Sequence, residues 1–167
     1  KKETTAKKKT HPLKTIKILC RNKYFILITL AFAVIYTSLG LTGGSRIYYA
    51  KYVLGDEMLN STMTMFNYIP TILTIMLIPV FTKRFGKIKA LFVGFLFYAA
   101  GLVLEIAGPV NLPMIYTGLV LQGIGHAALY SCLFAIVGDV VDYSEWKDGI
   151  REEGITYSVT SFGQKIG

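Results

Sequence analysis

The stretch YFILITLAFAVIYTSLGLTG, residues 24–43, runs for twenty positions without a charged side chain. An α-helix rises ~1.5 Å per residue, so a run of this length crosses the ~30 Å hydrocarbon core of a bilayer with its backbone polar groups bonded internally. Three more such runs follow, at about 62–81, 88–107 and 112–138, and a further apolar segment opens at 155 and continues to 167. Pro70 and Pro79 fall inside the second run, where membrane helices tolerate proline, and they predict kinks. The fourth run is longer than a bilayer needs, which predicts tilt or protrusion. The fold class expected is all-α: a polytopic membrane helical bundle over residues 24–167, behind a basic segment, 1–23.

Composition agrees with that class. Of 167 residues 53% are hydrophobic and 17% charged, and the mean hydropathy is +0.49, which argues against a soluble domain. The formal net charge of +8 would suggest nucleic acid if the basic residues were spread over a polar chain. Instead nine of the eighteen Lys and Arg residues lie in the first 23 positions, beside an apolar run, and no nucleic-acid partner is expected. A Lys-rich opening before an apolar run also fits a secretory leader, but the length of that run and the lack of a small-residue cleavage site after it speak for a membrane span. Cys20 lies in the basic flank and Cys132 deep in an apolar segment, so both read as free thiols with no metal-ligand spacing.

Short cytoplasmic loops carry the excess of Lys and Arg, and this orients the chain. Residues 1–23 and the loop TKRFGKIK (82–89) are basic. In the 44–61 loop Arg46 and Lys51 are balanced by Asp56 and Glu57, and GPVNLP (108–113) has no charge. Residues 1–23, 82–89 and 139–154 are therefore expected on the cytoplasmic side. The triplet Asn60-Ser61-Thr62 on the outer side matches a glycosylation sequon, a pattern too short to weigh. Four complete spans and part of a fifth read as a piece of a larger bundle, whose first residues resemble a loop joining two halves.

The residues that could carry chemistry fall into three groups. In GDVVDYSEWKDGIREEGITYSVTSFGQKIG (138–167), Asp139, Asp142 and Glu145 recur every three residues, so a continuing fourth helix puts them on one face. Acids at a helix C-terminus face the negative end of the macrodipole, so a cation should compensate, with Lys147 and Arg151 nearest in sequence. The competing reading is a solvated loop whose exposed ion pairs contribute little. Gln122, His126 and Tyr130 stand at i, i+4 and i+8 as a polar stripe on an apolar helix, which should face a bundle interior or an aqueous cavity. Interhelical hydrogen bonding without a ligand explains that stripe equally well. Gly40, Gly43 and Gly44, with Tyr36 and Thr37, offer a small-residue surface for close helix approach. Lys165 stands one turn beyond Thr160 and Ser161, ten residues into the last apolar segment, where its ammonium needs a polar partner or must snorkel back to the interface.

DVVDYSEWKDGIREEGI (139–155) with YSVTSFGQKIG (157–167) resembles the cytoplasmic loop and penultimate helix of the glycoside-pentoside-hexuronide:cation symporters, the melibiose-carrier branch of the major facilitator superfamily. YYAKYVLGDE (48–57) is similar to that family's first outer loop of the C-terminal half, and KRFGKIKAL (83–91) to a degenerate form of the superfamily's basic loop motif. The resemblance implies helices 7 to 10 and the start of 11. It implies cation-coupled symport of a sugar, glycoside or hexuronide by alternating access, with the bilayer and a six-helix N-terminal half as partners. The coupling ion, Na⁺ or H⁺, would be held in that half, and no other cofactor or resident metal is implied. Carried over by position, Tyr130 stands where the melibiose carrier has a cavity-facing tryptophan, and Thr160, Ser161 and Lys165 stand at cavity-facing positions. Thr160 replaces an amide of that carrier, so a different sugar is expected. Asp139, Asp142 and Arg151, with Glu145 beside them, match the cluster that closes the cytoplasmic side. Two other classes stay in view: an integral-membrane, Mg²⁺-dependent prenyltransferase-type enzyme, of whose two acidic motifs only one is present, and a sugar sensor that does not transport.

Overall fold

A computed structural model describes residues 23–148 and, beyond them, Tyr157, Ser158, Ser161, Phe162 and Lys165. Helix α1 spans Lys23–Tyr52, α2 Leu59–Phe85, α3 Lys87–Ala107 and α4 Leu112–Asp148. Each carries a stretch long and apolar enough to cross a membrane. Side chains such as Ile72, Met76 and Leu77 of α2 and Val103 and Ile106 of α3 are exposed, which suits a lipid-facing surface and not a watery one.

The helices outrun the apolar runs. The expected 44–61 loop contracts to residues 53–58, because α1 continues through Gly43 and Gly44 to Tyr52 and takes Arg46 and Lys51 with it. A membrane helix loses its apolar character at the interface, but its hydrogen-bond ladder needs no apolar side chain to go on. The chain then turns at Gly55, φ +76°, and the Asp56 carboxylate accepts the Met58 N–H at 2.8 Å as α2 begins. Lys51 pairs with Glu57 across this turn. Pro70 and Pro79 both lie inside α2. Likewise α4 runs ten residues past 138, so Asp139, Asp142 and Glu145 are helical.

Gly86 alone separates α2 from α3. Its N–H bonds Thr82 O at 2.9 Å, and its φ of 88° with ψ of 157° belongs to a region open essentially to glycine. A Cβ here would meet nothing within 4 Å, so the cost of a side chain is purely conformational. Gly86→Ala should therefore lower stability by ~1–3 kcal/mol, read as a drop in the melting temperature of the detergent-solubilised chain. An unchanged melt would show that this turn relaxes freely.

The described residues divide into two compact units, 37–136 and the parts of 1–36 and 137–167 that are described. In the second of these, Phe25, Ile28 and Phe32 are buried, as are Val137, Val140 and Val141, and Tyr24 meets Tyr143 edge to face at 5.0 Å. The 37–136 unit holds the packing that positions the polar residues. Gly94 of α3 lies against Gly125 and Ala128 of α4, and Gly101 against Gly118, so the two helices run antiparallel with backbones in near contact. Only glycine fits: a Cβ on Gly101 would stand 2.4 Å from Gly118 O, and one on Gly125 2.6 Å from Gly94 O. Helix α2 packs parallel to α4, with Asn67 Nδ2 donating to Leu119 O at 3.1 Å and the Thr71 hydroxyl within 3.0 Å of Gly123 O. Ile78, Ala90, Ala128 and Cys132 close one apolar cluster, and Ala50, Met63, Ile115 and Leu119 another. Cys132 is a buried free thiol.

The surface expected around Gly43 and Gly44 makes no close approach among the described residues, since a Cβ at either would meet open space.

Candidate functional site

The glycine seam brings α3 and α4 so close that polar side chains on their facing sides must find partners across it. Gln122 is fully buried and donates through Nε2 to Glu105 Oε2 at 2.8 Å. One turn on, His126 is buried with its ring 4.8 Å from that of Tyr98, and one turn further Tyr130 follows at 5.9 Å from His126. The Tyr98 hydroxyl lies 3.3 Å from Ser38 Oγ, which links the column to α1. The stripe read from the sequence thus faces a helix interface. Its hydrogen-bonding capacity is not exhausted there: Gln122 Oε1 and His126 Nε2 are buried without a partner among the described residues. A buried polar atom left unpaired costs ~1–3 kcal/mol, so these two carry a desolvation cost at the α3–α4 seam.

Two charged residues complete this site, and sequence reading passed over both. Glu105 is the single acid among residues 88–107, and Arg46 lies in the helical part of what reads as a loop. They border one pocket of ≈ 440 Å³ with the hydroxyl-bearing Thr42, Ser45 and Tyr49 of α1, while Met63, Ile106 and Pro109 supply apolar wall. Tyr49 donates to Pro109 O. The signals were present: a carboxylate inside an apolar run, and Ser38, Thr42 and Arg46 at helical spacing.

Of the other sequence candidates, Asp139, Asp142 and Glu145 lie exposed on the last turns of α4. Ser161 and Lys165, both exposed, border a second pocket of ≈ 420 Å³ with Tyr157, Ser158 and Phe162. Thr160 and Arg151 lie outside the described residues.

The chain matches the MFS/sugar transport protein family over residues 1–167. It is similar to the isoprimeverose transporter of Lactiplantibacillus pentosus, 29% identical over 99% of this chain and 35% of that protein. It is also similar to a glucuronide carrier protein homolog of Escherichia coli, 28% identical over 92% of this chain and 34% of the relative. The chain thus spans about a third of the length of these relatives. No solved structure is matched significantly. These relatives bear the names of a transporter and a carrier protein homolog, and the family match over residues 1–167 is to sugar transport proteins and not to prenyltransferases. A match along the whole chain, joined to four membrane-length helices, places this multi-pass membrane protein in the MFS/sugar transport protein family.

Proposed function

We propose that this chain forms part of the C-terminal half of a secondary active transporter that moves a sugar, glycoside or hexuronide together with Na⁺ or H⁺. The observation that carries the reading is the match of all 167 residues to a sugar-transport family, with relatives named for isoprimeverose and glucuronide. In such a carrier two halves rock about a site between them, and the substrate is met by side chains from both. From this half, Tyr130 would face the substrate path, with Gln122 and His126 packed behind it at the α3–α4 seam and Thr160, Ser161 and Lys165 joining from the following helix. The coupling ion would sit in the other half. Asp139, Asp142, Glu145 and Arg151 would bias the equilibrium toward the state closed on the cytoplasmic side, since charge pairs made in one state and separated in the other weight a two-state balance.

Counterflow of labelled sugar in vesicles holding a carrier that contains this chain tests the proposal. Exchange that depends on a cation gradient supports it, and specific binding without exchange would show a sensor instead. A further expectation follows from the four complete spans: vesicles with these 167 residues alone should show no saturable, cation-dependent uptake. Such uptake would overturn the two-half reading.

A further inference from the structure

We infer that the pocket walled by Arg46 and Glu105 is an anion-selecting site for an acidic monosaccharide, with the substrate's carboxylate on Arg46 and its hydroxyls on Glu105. The inference rests on the sugar-transport reading above and assigns to one site the choice among neutral and acidic sugars.

Three features of the pocket support it. First, Arg46 borders the same cavity as Glu105, and its guanidinium forms no hydrogen bond or ion pair among the described residues. The two charges flank a space instead of closing on each other. Second, Glu105 is held in place at a cost. It lies two residues from the C-terminus of α3, where the helix dipole disfavours a carboxylate, and Gln122, itself fully buried, donates to one of its oxygens. A carboxylate braced this way keeps a second oxygen to accept from ligand hydroxyls. Third, Thr42, Ser45 and Tyr49 add hydroxyls along the same wall, and the volume of ≈ 440 Å³ lies in the ~300–1,000 Å³ range of small-molecule sites. A neutral sugar would leave the guanidinium unpaired beside apolar wall, whereas a carboxylate can take both of its parallel N–H groups. Arg46 is six residues from the end of α1, ~9 Å along the helix, so a ligand reaches it from the end of the bundle at which α1 and α3 terminate.

The test is calorimetric titration of a purified carrier containing this chain with glucuronate, glucose and glucosamine, beside uptake of the same sugars. Glucuronate should bind about tenfold or more tighter than glucose, the difference expected for one charge-assisted contact. Arg46→Lys, which keeps the charge but not the fork, should lose most of that preference, and Glu105→Gln should weaken binding of both sugars. Equal affinity for glucose and glucuronate would overturn the inference and leave the transport reading standing. Tighter binding of glucosamine than of glucuronate would overturn it too. So would wild-type glucuronate affinity in the folded double variant Arg46→Gln, Glu105→Gln, which would reveal a structural charge pair only. Selective binding of glucuronate without uptake of any sugar would uphold the site and sink the transport reading.

Discussion

Leucine in place of Gly101 should leave almost no folded protein to purify, while leucine in place of Gly43 should be tolerated. Both glycines sit within apolar helices, and intrinsic propensity favours leucine at each by up to ~1 kcal/mol. What separates them is the neighbour. A Cβ on Gly101 would stand 2.4 Å from Gly118 O, 2.7 Å from Gln122 Cγ and 2.9 Å from Gln122 N, and two of those three atoms belong to backbone that cannot swing aside. The helices would have to part, and parting them also breaks the Gln122 to Glu105 hydrogen bond, stranding a buried amide. Adding a methylene to a packed interior costs ~1–3 kcal/mol, and leucine adds several, against a total stability of ~5–15 kcal/mol. At Gly43 the same side chain enters open space. Size-exclusion profiles and melting of the detergent-solubilised chain decide the matter, with Gly101→Ala as the graded case. Equal melting of the two leucine variants would mean that the α3–α4 seam is not the close contact described.

The spans were legible because lipid imposes a continuous condition: every residue of a crossing stretch must be apolar or partnered, and such runs stand out in a sequence. Their ends were not. Arg46 and Lys51 read as loop because the apolar signal fades at the interface, yet hydrogen bonding carries α1 on to Tyr52. The stripe of Gln122, His126 and Tyr130 was visible because all three share one helix and its 3.6-residue period. Its partners were hidden because they come from other helices. Glu105 approaches Gln122 only when Gly101 meets Gly118, and nothing in one sequence states that register. Gly94 and Gly101, like Gly118 and Gly125, are seven apart, a spacing open to inspection, but the pairing across helices belongs to the fold. The polar site was therefore half legible, on the side carried by α4.

In a carrier that contains this chain, Lys165→Ala should lower sugar uptake about 10- to 100-fold, and Lys51→Ala should leave it within about twofold. Lys51 is exposed and pairs with an exposed Glu57, the kind of surface contact that contributes ~0–1 kcal/mol. Lys165 differs in its surroundings. It is exposed like Lys51, but it stands ten residues into an apolar segment and borders a pocket with Ser158, Ser161 and two aromatic rings, Tyr157 and Phe162. An ammonium with three donors and a pair of flanking hydroxyls suits a polyhydroxylated ligand, and the rings offer apolar faces to its C–H surface. A lysine that merely snorkelled would serve only to carry its charge to the interface, and its loss would expose no site. The two roles separate in the kinetics. A ligand contact made equally in ground and transition states raises KM at constant kcat, and one that strengthens during the rocking step lowers kcat, whereas snorkelling predicts neither. Lys165→Arg discriminates further: it satisfies an interface-seeking charge but replaces a compact ammonium by a planar fork, so it should restore folding without restoring full uptake. Initial rates at matched amounts of membrane-inserted protein measure all three variants. If Lys165→Ala and Lys51→Ala transport alike, Lys165 is an anchor, and the substrate path runs elsewhere.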